Sequence, residues 1–408
     1  MLKKLNIGLL FLNIFFLQSY LIRFQVLNYP TNLQEILIFA QIIVFILAII
    51  FDGKFKQIFF SNVKNHWVMS TFILLTAVSI LTVDITDNIY FIRHLRFLFV
   101  AAILSFVFIE TLTSEKSRAQ GIKVMGIGAV IFGIFSVFYN LFGYNITHDY
   151  RLLGPLDAAV YSAFYMAPFF IFFTIQFFEH RKKSDLIFAT LLALMIIATR
   201  SMGTVGATFL VLTIYFFKKH GFGILKSKLA KAILAIVTVV IVGTVFYAKI
   251  LPAIQTNYAS LNERGEIWQT SVHFLKDPMT IVWGLGYGQF QNEYATNVKQ
   301  ILGHNPLDYY VLQPHNIFFL FIFQYGILGL LFLVACIART IKNLKNPIEK
   351  FNMKTISNFI ILYFLIHGMI DTPFFKNDIL FLLVFFFELG LSRKIHYLSP
   401  DTKSIKTT

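Results

Sequence analysis

About twelve apolar runs, each close to the length that a bilayer crossing demands, follow one another along the chain. They lie near residues 6–22, 34–51, 67–83, 95–110, 123–142, 156–178, 185–199, 203–217, 231–250, 314–338, 355–370 and 377–391. A hydrocarbon core takes roughly 20 apolar residues as a helix, and inside it every backbone N–H and C=O must be satisfied within the protein. The chain therefore reads as an all-α polytopic membrane protein of about 12 transmembrane helices. Composition agrees: 57% of its 408 residues are hydrophobic and only 13% are charged, against about 25% charged in an ordinary soluble domain. The seventh and eighth runs nearly touch, which predicts a tight hairpin. The N-terminal "MLKKLNIGLLFLNIFFLQSYLI" begins like a signal peptide but lacks a small-x-small cleavage site, so it reads as a retained first helix.

A net charge of +15 invites nucleic acid as a partner. The placement of the charge favours a membrane reading without nucleic acid, because Lys and Arg collect in cytoplasmic loops. With Met1 in the cytoplasm, Lys3, Lys4, five connecting segments and the tail from Arg393 hold 25 of the 35 Lys and Arg. Both termini are then cytoplasmic. Residues 1–150 form a first set of transmembrane helices, 151–392 a transmembrane core, and 393–408 a basic cytoplasmic tail. The single cysteine, Cys336, excludes a disulfide within the chain, a Cys-based zinc site and a CxxC redox pair.

One extracytoplasmic loop, 251–313, is much longer than its neighbours, and long loops in compact proteins are usually functional. Within it "LNERGEIWQTSVHFLKDP" predicts a short amphipathic helix capped by Asn262, with Ile267, Trp268, Val272 and Leu275 at helical spacing. Such a helix suits the membrane surface. "WGLGYGQF" has no GK[ST] and no strand–helix context, so it reads as a flexible turn rather than a phosphate loop.

Among the few basic residues of the outer side, where orientation disfavours cations, five arginines in or beside otherwise apolar or loop sequence stand out: Arg93, Arg96, Arg151, Arg200 and Arg264. Guanidinium is a planar, permanently charged, bidentate phosphate ligand, so three or four converging would build an anion pocket. The competing reading is headgroup snorkelling or pairing with Asp84, Asp87, Asp149, Asp157 or Glu263. Arg200, between two apolar runs, favours the functional reading. In "QPHNIFFLFIFQYGILGLLFL", Pro314 suits the first position of a helix, which puts His315 in its first turn, where the positive helix end disfavours imidazolium. A neutral imidazole there is a candidate base beside an anion-attracting helix end. An interfacial histidine bonded to loop carbonyls is the structural alternative. His304 and Asn305 form a second, lower-ranked pair that opens no helix. A His304/His315 metal site lacks the supporting i,i+4 pair or carboxylate cluster.

These residues, in this order, resemble the O-antigen ligase and polymerase superfamily of bacterial membrane glycosyltransferases over roughly residues 151–371. "RLLGPLDAAVYSAFYMAPF" is similar to that family's Arg-x-x-Gly stretch entering a helix. "ATRS" is similar to its Thr-Arg segment, and "ERGEIWQTSVHFLKDPMTIVWGLGYGQF" to its Arg-x-x-x-Trp helix, Pro and Gly-x-Gly turn. "HNIFFLFIFQYGILG" resembles its His-Asn helix, and "HGMIDTPF" its late helix ending in Asp. Two departures stand out: Ser201 follows Arg200 where the family places Ser before the arginine, and Gln324 stands where Glu is common.

The resemblance implies a GT-C-like fold in the bacterial inner membrane and a donor glycan on undecaprenyl pyrophosphate. It implies transfer at the periplasmic face to a sugar hydroxyl of lipid A-core or another glycan acceptor, without metal, nucleotide sugar or other cofactor. It assigns pyrophosphate binding to Arg151, Arg200 and Arg264, and catalysis to His315 with Arg264. Asn316 and Asp371 would support them. Ligase and repeat-unit polymerase share these features; the modest loop and about twelve spans favour a ligase. A multi-span transporter or flippase is the reading from another class. Against it, no internal repeat is visible, and polar residues gather at the outer ends of the runs rather than at the midplane.

Overall fold

The computed structural model describes residues 2–26, 29–62, 65–144, 151–156, 158–221, 260–345, 352–374 and 376–392. The predicted run at 231–250, residues 251–259 of the long loop and the tail 393–408 lie outside the described residues. Among the described residues, regular structure is helical apart from one short antiparallel hairpin, β1 (Arg23–Val26) with β2 (Tyr29–Asn32), in which Arg23 faces Asn32. The first half holds α1 (Leu2–Phe15), α2 (Leu33–Phe51), α3 (Gly53–Asn62), α4 (Trp67–Thr82), α5 (Asn88–Thr111) and α6 (Glu115–Leu141). The second half holds α7 (Ala159–His180), α8 (Lys183–Ala198) and α9 (Met202–His220). It continues with α10 (Ser260–Phe274), α11 (Pro278–Trp283), α12 (Phe290–Leu302), α13 (Ile317–Lys345), α14 (Met353–Gly368) and α15 (Asn377–Leu391).

Five of these helices are long and apolar enough to cross a membrane: α2, α5, α6, α7 and α13, with α4 and α14 as shorter apolar helices. Their starts follow local chemistry. Asn32 accepts from the Glu35 N–H at 3.0 Å, Asp87 from Ile89 and Tyr90, and Ser114 and Ser117 cap each other at the head of α6. Each oxygen satisfies an amide that a helix end leaves open. The short connection expected there is present, with Thr199, Arg200 and Ser201 alone between α8 and α9, but the two helices meet only near that turn and do not pack along each other as a tight hairpin. Between Ile379 and Phe387 helix α15 is apolar on every side, which suits an element without a solvent face. It runs through the middle of the bundle, with its residues 379–391 buried and Phe385 4.6 Å from Phe108 of α5.

Two expectations are corrected. Helix α10 begins at Ser260, so Asn262 lies inside its first turn and is not its cap. Its inward face is Ile267, Thr270 and Ser271, while Val272 is 54% exposed. Ile267 packs with Phe290, Tyr294, Val298, Val311, Ile322 and Phe323, which seats the helix on α12 and α13.

The glycine segment 284–288 is a clamp, not a flexible turn. Gly284, Gly286 and Gly288 all have positive φ, the region only glycine visits freely. The Leu285 and Gly286 amides donate to the Phe323 carbonyl at 2.8 and 3.2 Å, and the Gly288 amide donates to Gln324 Oε1 at 2.8 Å. A Cβ on Gly284 would stand 2.6 Å from the Phe323 carbonyl oxygen. Helix α13 breaks at Gly326 (φ 62°), and the Phe323 carbonyl behind the break is the one that the Leu285 and Gly286 amides engage. Gln324 serves this clamp: an acceptor facing a backbone N–H is satisfied by amide or carboxylate, and the amide avoids burying a charge.

Candidate functional site

Three loops and one helix meet where α8, α13 and α14 end or begin. Helix α13 starts at Ile317, three residues later than predicted. Asn316 is its cap, with Oδ1 accepting from the Phe318 and Phe319 amides at 2.9 and 3.4 Å. Pro314 and His315 therefore precede the helix. The cap oxygen, not the proline ring, sets the start, because it satisfies two open amides. His315 has φ 51°, a left-handed conformation that costs a non-glycine residue about 1 kcal/mol or more. Its neighbours hold it there: the Trp268 indole of α10 donates to the Pro314 carbonyl at 3.1 Å, and the Asn316 amide donates to the Met369 carbonyl at 3.2 Å.

Asp371 is the centre of the cluster. Its Oδ1 is 2.8 Å from His315 Nδ1, and its Oδ2 accepts from Arg264 Nη2 at 3.2 Å. Arg264 also donates through Nε to the Ile370 carbonyl at 3.1 Å, so the guanidinium grips two consecutive residues. Side-chain exposure is 28% for His315, 18% for Arg264 and 10% for Asp371, so the carboxylate is the floor and the imidazole the accessible rim. Burial alone would push the Asp371 carboxyl up. The charges of His315, His367 and Arg264, with the bond to His315, outweigh it and hold the carboxyl well below the usual carboxylate range.

A carboxylate accepts only, so His315 carries its proton on Nδ1 and leaves Nε2 as the basic nitrogen. The placement differs from the expectation: His315 precedes the helix rather than lying in its first turn, and its ring faces the Asp371 carboxylate.

Arg200 and Arg151 belong to the same end of the bundle. The Leu152 amide donates to the Ala198 carbonyl at 3.0 Å, which lays the Arg151 segment along the α8–α9 turn. Asn140 fixes that segment further, donating to the Arg151 carbonyl at 2.8 Å and accepting from the Gly154 amide. Arg200 sits at φ 53°; of the three non-glycine residues with positive φ among the described residues, two are Arg200 and His315. From the turn, Ser201 Oγ is 3.0 Å from Thr204 Oγ1, which is 3.2 Å from His367 Nε2, and His367 Nδ1 is 3.2 Å from the Asp371 carbonyl. All four residues are buried.

The other two outer arginines go elsewhere. Arg96 pairs with Glu35, and Arg93 donates to Gln291 at 3.3 Å with its guanidinium 4.9 Å from the Tyr90 ring. For them the pairing alternative holds, with partners other than the acids expected. His304 turns Nδ1 to the Asn305 carbonyl. Thr204 and His367 escaped sequence reading. The signal for His367 was its i,i+4 spacing to Asp371 at the end of an apolar run.

No curated protein matches the chain. Residues 186–334 match the sequence model of the family described as O-Antigen ligase. That stretch carries Arg200, Arg264, His315 and Asn316, so the part of the chain that holds these residues is similar to that family.

Proposed function

We propose that the protein transfers a glycan from undecaprenyl pyrophosphate to an acceptor sugar hydroxyl at the non-cytoplasmic face of the inner membrane, as a ligase. The observation that carries the reading is the Arg264–Asp371–His315 cluster, in which a base and a cation share one buried carboxylate. His315 Nε2 takes the proton of the acceptor hydroxyl, and the oxygen attacks the anomeric carbon. The bond from that carbon to the pyrophosphate oxygen breaks, and undecaprenyl pyrophosphate leaves with the electron pair. Asp371 steadies the imidazolium, as an acid behind a catalytic histidine does. Arg264, Arg200 and Arg151 stabilise the charge that grows on the leaving group. Neither metal nor nucleotide sugar takes part.

The lipid part of the donor has a matching surface. Pro155, in the Arg151 segment, borders an apolar cavity of about 670 Å³ that Phe15, Leu37, Ile131 and Phe135 also line. A polyprenyl chain suits such a lining, and its headgroup would then lie toward Arg151. In this reading about twelve helices in a GT-C-like arrangement place both termini in the cytoplasm, and 151–392 is the catalytic core.

The test is glycan transfer in membranes. His315→Ala is expected to abolish transfer while the protein still inserts. Arg264→Ala is expected to cost more than Arg264→Lys, which keeps the charge and loses the two-pronged grip. Full activity in all three would remove the assigned roles. After deletion of the protein, polymer accumulating on its carrier beside an uncapped acceptor supports the ligase reading. Single repeats on the acceptor would make it a polymerase.

A further inference from the structure

His367 closes the last turn of α14, 1% exposed, with the Phe164 and Tyr363 rings 4.8 and 5.8 Å away. A phenyl ring would fill this slot as well, so what the imidazole adds is its two nitrogens. Nδ1 faces a carbonyl, which can only accept, so the proton is on Nδ1. In the neutral ring Nε2 then accepts from Thr204, and the Ser201 hydroxyl donates to Thr204. The donors run in one direction, from the turn that carries Arg200 to the loop that carries Asp371. The Asp371 amide also donates back to the His367 carbonyl at 3.0 Å, so the two residues are joined twice.

We propose that His367 is a positioning residue that holds the Arg200 turn in register with the Asp371–His315–Arg264 cluster, so that Arg200 meets the same pyrophosphate. This rests on the transferase reading above. Three separate parts of the chain must agree to within a fraction of an ångström for such a site to work. Both ends of the link carry left-handed residues that need external support, Arg200 beside Ser201 and His315 against Asp371.

The experiment is binding of undecaprenyl pyrophosphate to the purified full-length chain, arranged as a double-mutant cycle. Arg200→Ala is expected to weaken binding roughly tenfold or more, the loss of a charge-assisted bond. His367→Phe, which keeps the ring and loses both nitrogens, is expected to weaken it several-fold. The double variant should be no weaker than Arg200→Ala alone, because His367 acts through Arg200. Thr204→Val removes only the middle hydroxyl and should follow His367→Phe; it decides the matter if His367→Phe fails to accumulate. Weak binding by Arg200→Ala with wild-type binding by His367→Phe and Thr204→Val, or losses that multiply in the double variant, overturns the positioning role alone. Wild-type binding by Arg200→Ala overturns both this role and the pyrophosphate assignment beneath it.

Discussion

His315 Nδ1 and Asp371 Oδ1 stand 2.8 Å apart across 56 positions of chain. The bond fixes which nitrogen of His315 is basic and how the ring is turned. Asp371→Asn keeps the shape and removes the charge, and its amide can present an N–H where the ring needs an acceptor. Glycan transfer is expected to fall about 10²–10⁴-fold, the range that a positioned base supplies, with normal insertion. Turnover measured at saturating donor checks this, and an unchanged rate would take the carboxylate out of proton transfer.

The same carboxylate sets a limit in acid. Its folded value is depressed, because the neighbouring cations outweigh burial. Stability from such a group is present above the unfolded carboxyl value, about 3.9, and is lost as pH falls through the folded value. Unfolding temperature in detergent should therefore drop below about pH 4 partly on account of Asp371. Asp371→Asn should flatten that part of the acid slope and leave the curve above about pH 5 unaltered in shape.

What the sequence made legible here follows from the cost of burying charge. An arginine or histidine at the end of an apolar run needs a reason to be there, and that logic picked out Arg264, Arg200, Arg151 and His315. The same logic could not see His367, since a histidine within an apolar run reads as core until its partners are known. It misjudged the start of α13, where two signals competed within three residues and the Asn316 cap prevailed over Pro314. It took 284–288 as loose because glycines alone specify freedom; only the Phe323 carbonyl behind the break at Gly326 shows what that freedom is for. The membrane-spanning character was readable from run length, whereas the central place of α15 depends on packing among helices whose apolar surfaces look alike.

A second titrating cluster lies away from the site. His66, just before α4, sets Nε2 2.8 Å from Glu110 and Nδ1 3.2 Å from Glu388. Burial favours the neutral ring, but the hydrogen bonds and charges of the two carboxylates overcome it and raise His66 to about 9. A raised folded value gives stability that is whole below the unfolded histidine value, about 6.5, and lost as pH rises through about 9. Melting temperature should accordingly decline between about pH 7 and 9. His66→Gln should be less stable than wild type at pH 6 and should lack that decline. A wild-type curve for His66→Gln would count against the ion cluster.

The break in α13 is the last point at which stability and activity meet. Gly326 has φ 62°, and a Cβ there would run into the Val282 carbonyl as well as adopt a left-handed backbone. The backbone term alone is about 1 kcal/mol or more, and the clash must be relieved by moving 282–284 or the first turns of α13. Those turns carry Asn316 at their head, and Asn316 and His315 both reach the 369–371 loop. Gly326→Ala should therefore lower melting temperature by several degrees and reduce transfer beyond what the fall in folded protein explains. Gly206→Ala, whose added methyl meets nothing within 4 Å, should do neither. Comparing specific activity per folded molecule for the two variants separates the cases. Equal activity would mean that the kink and the histidine move independently.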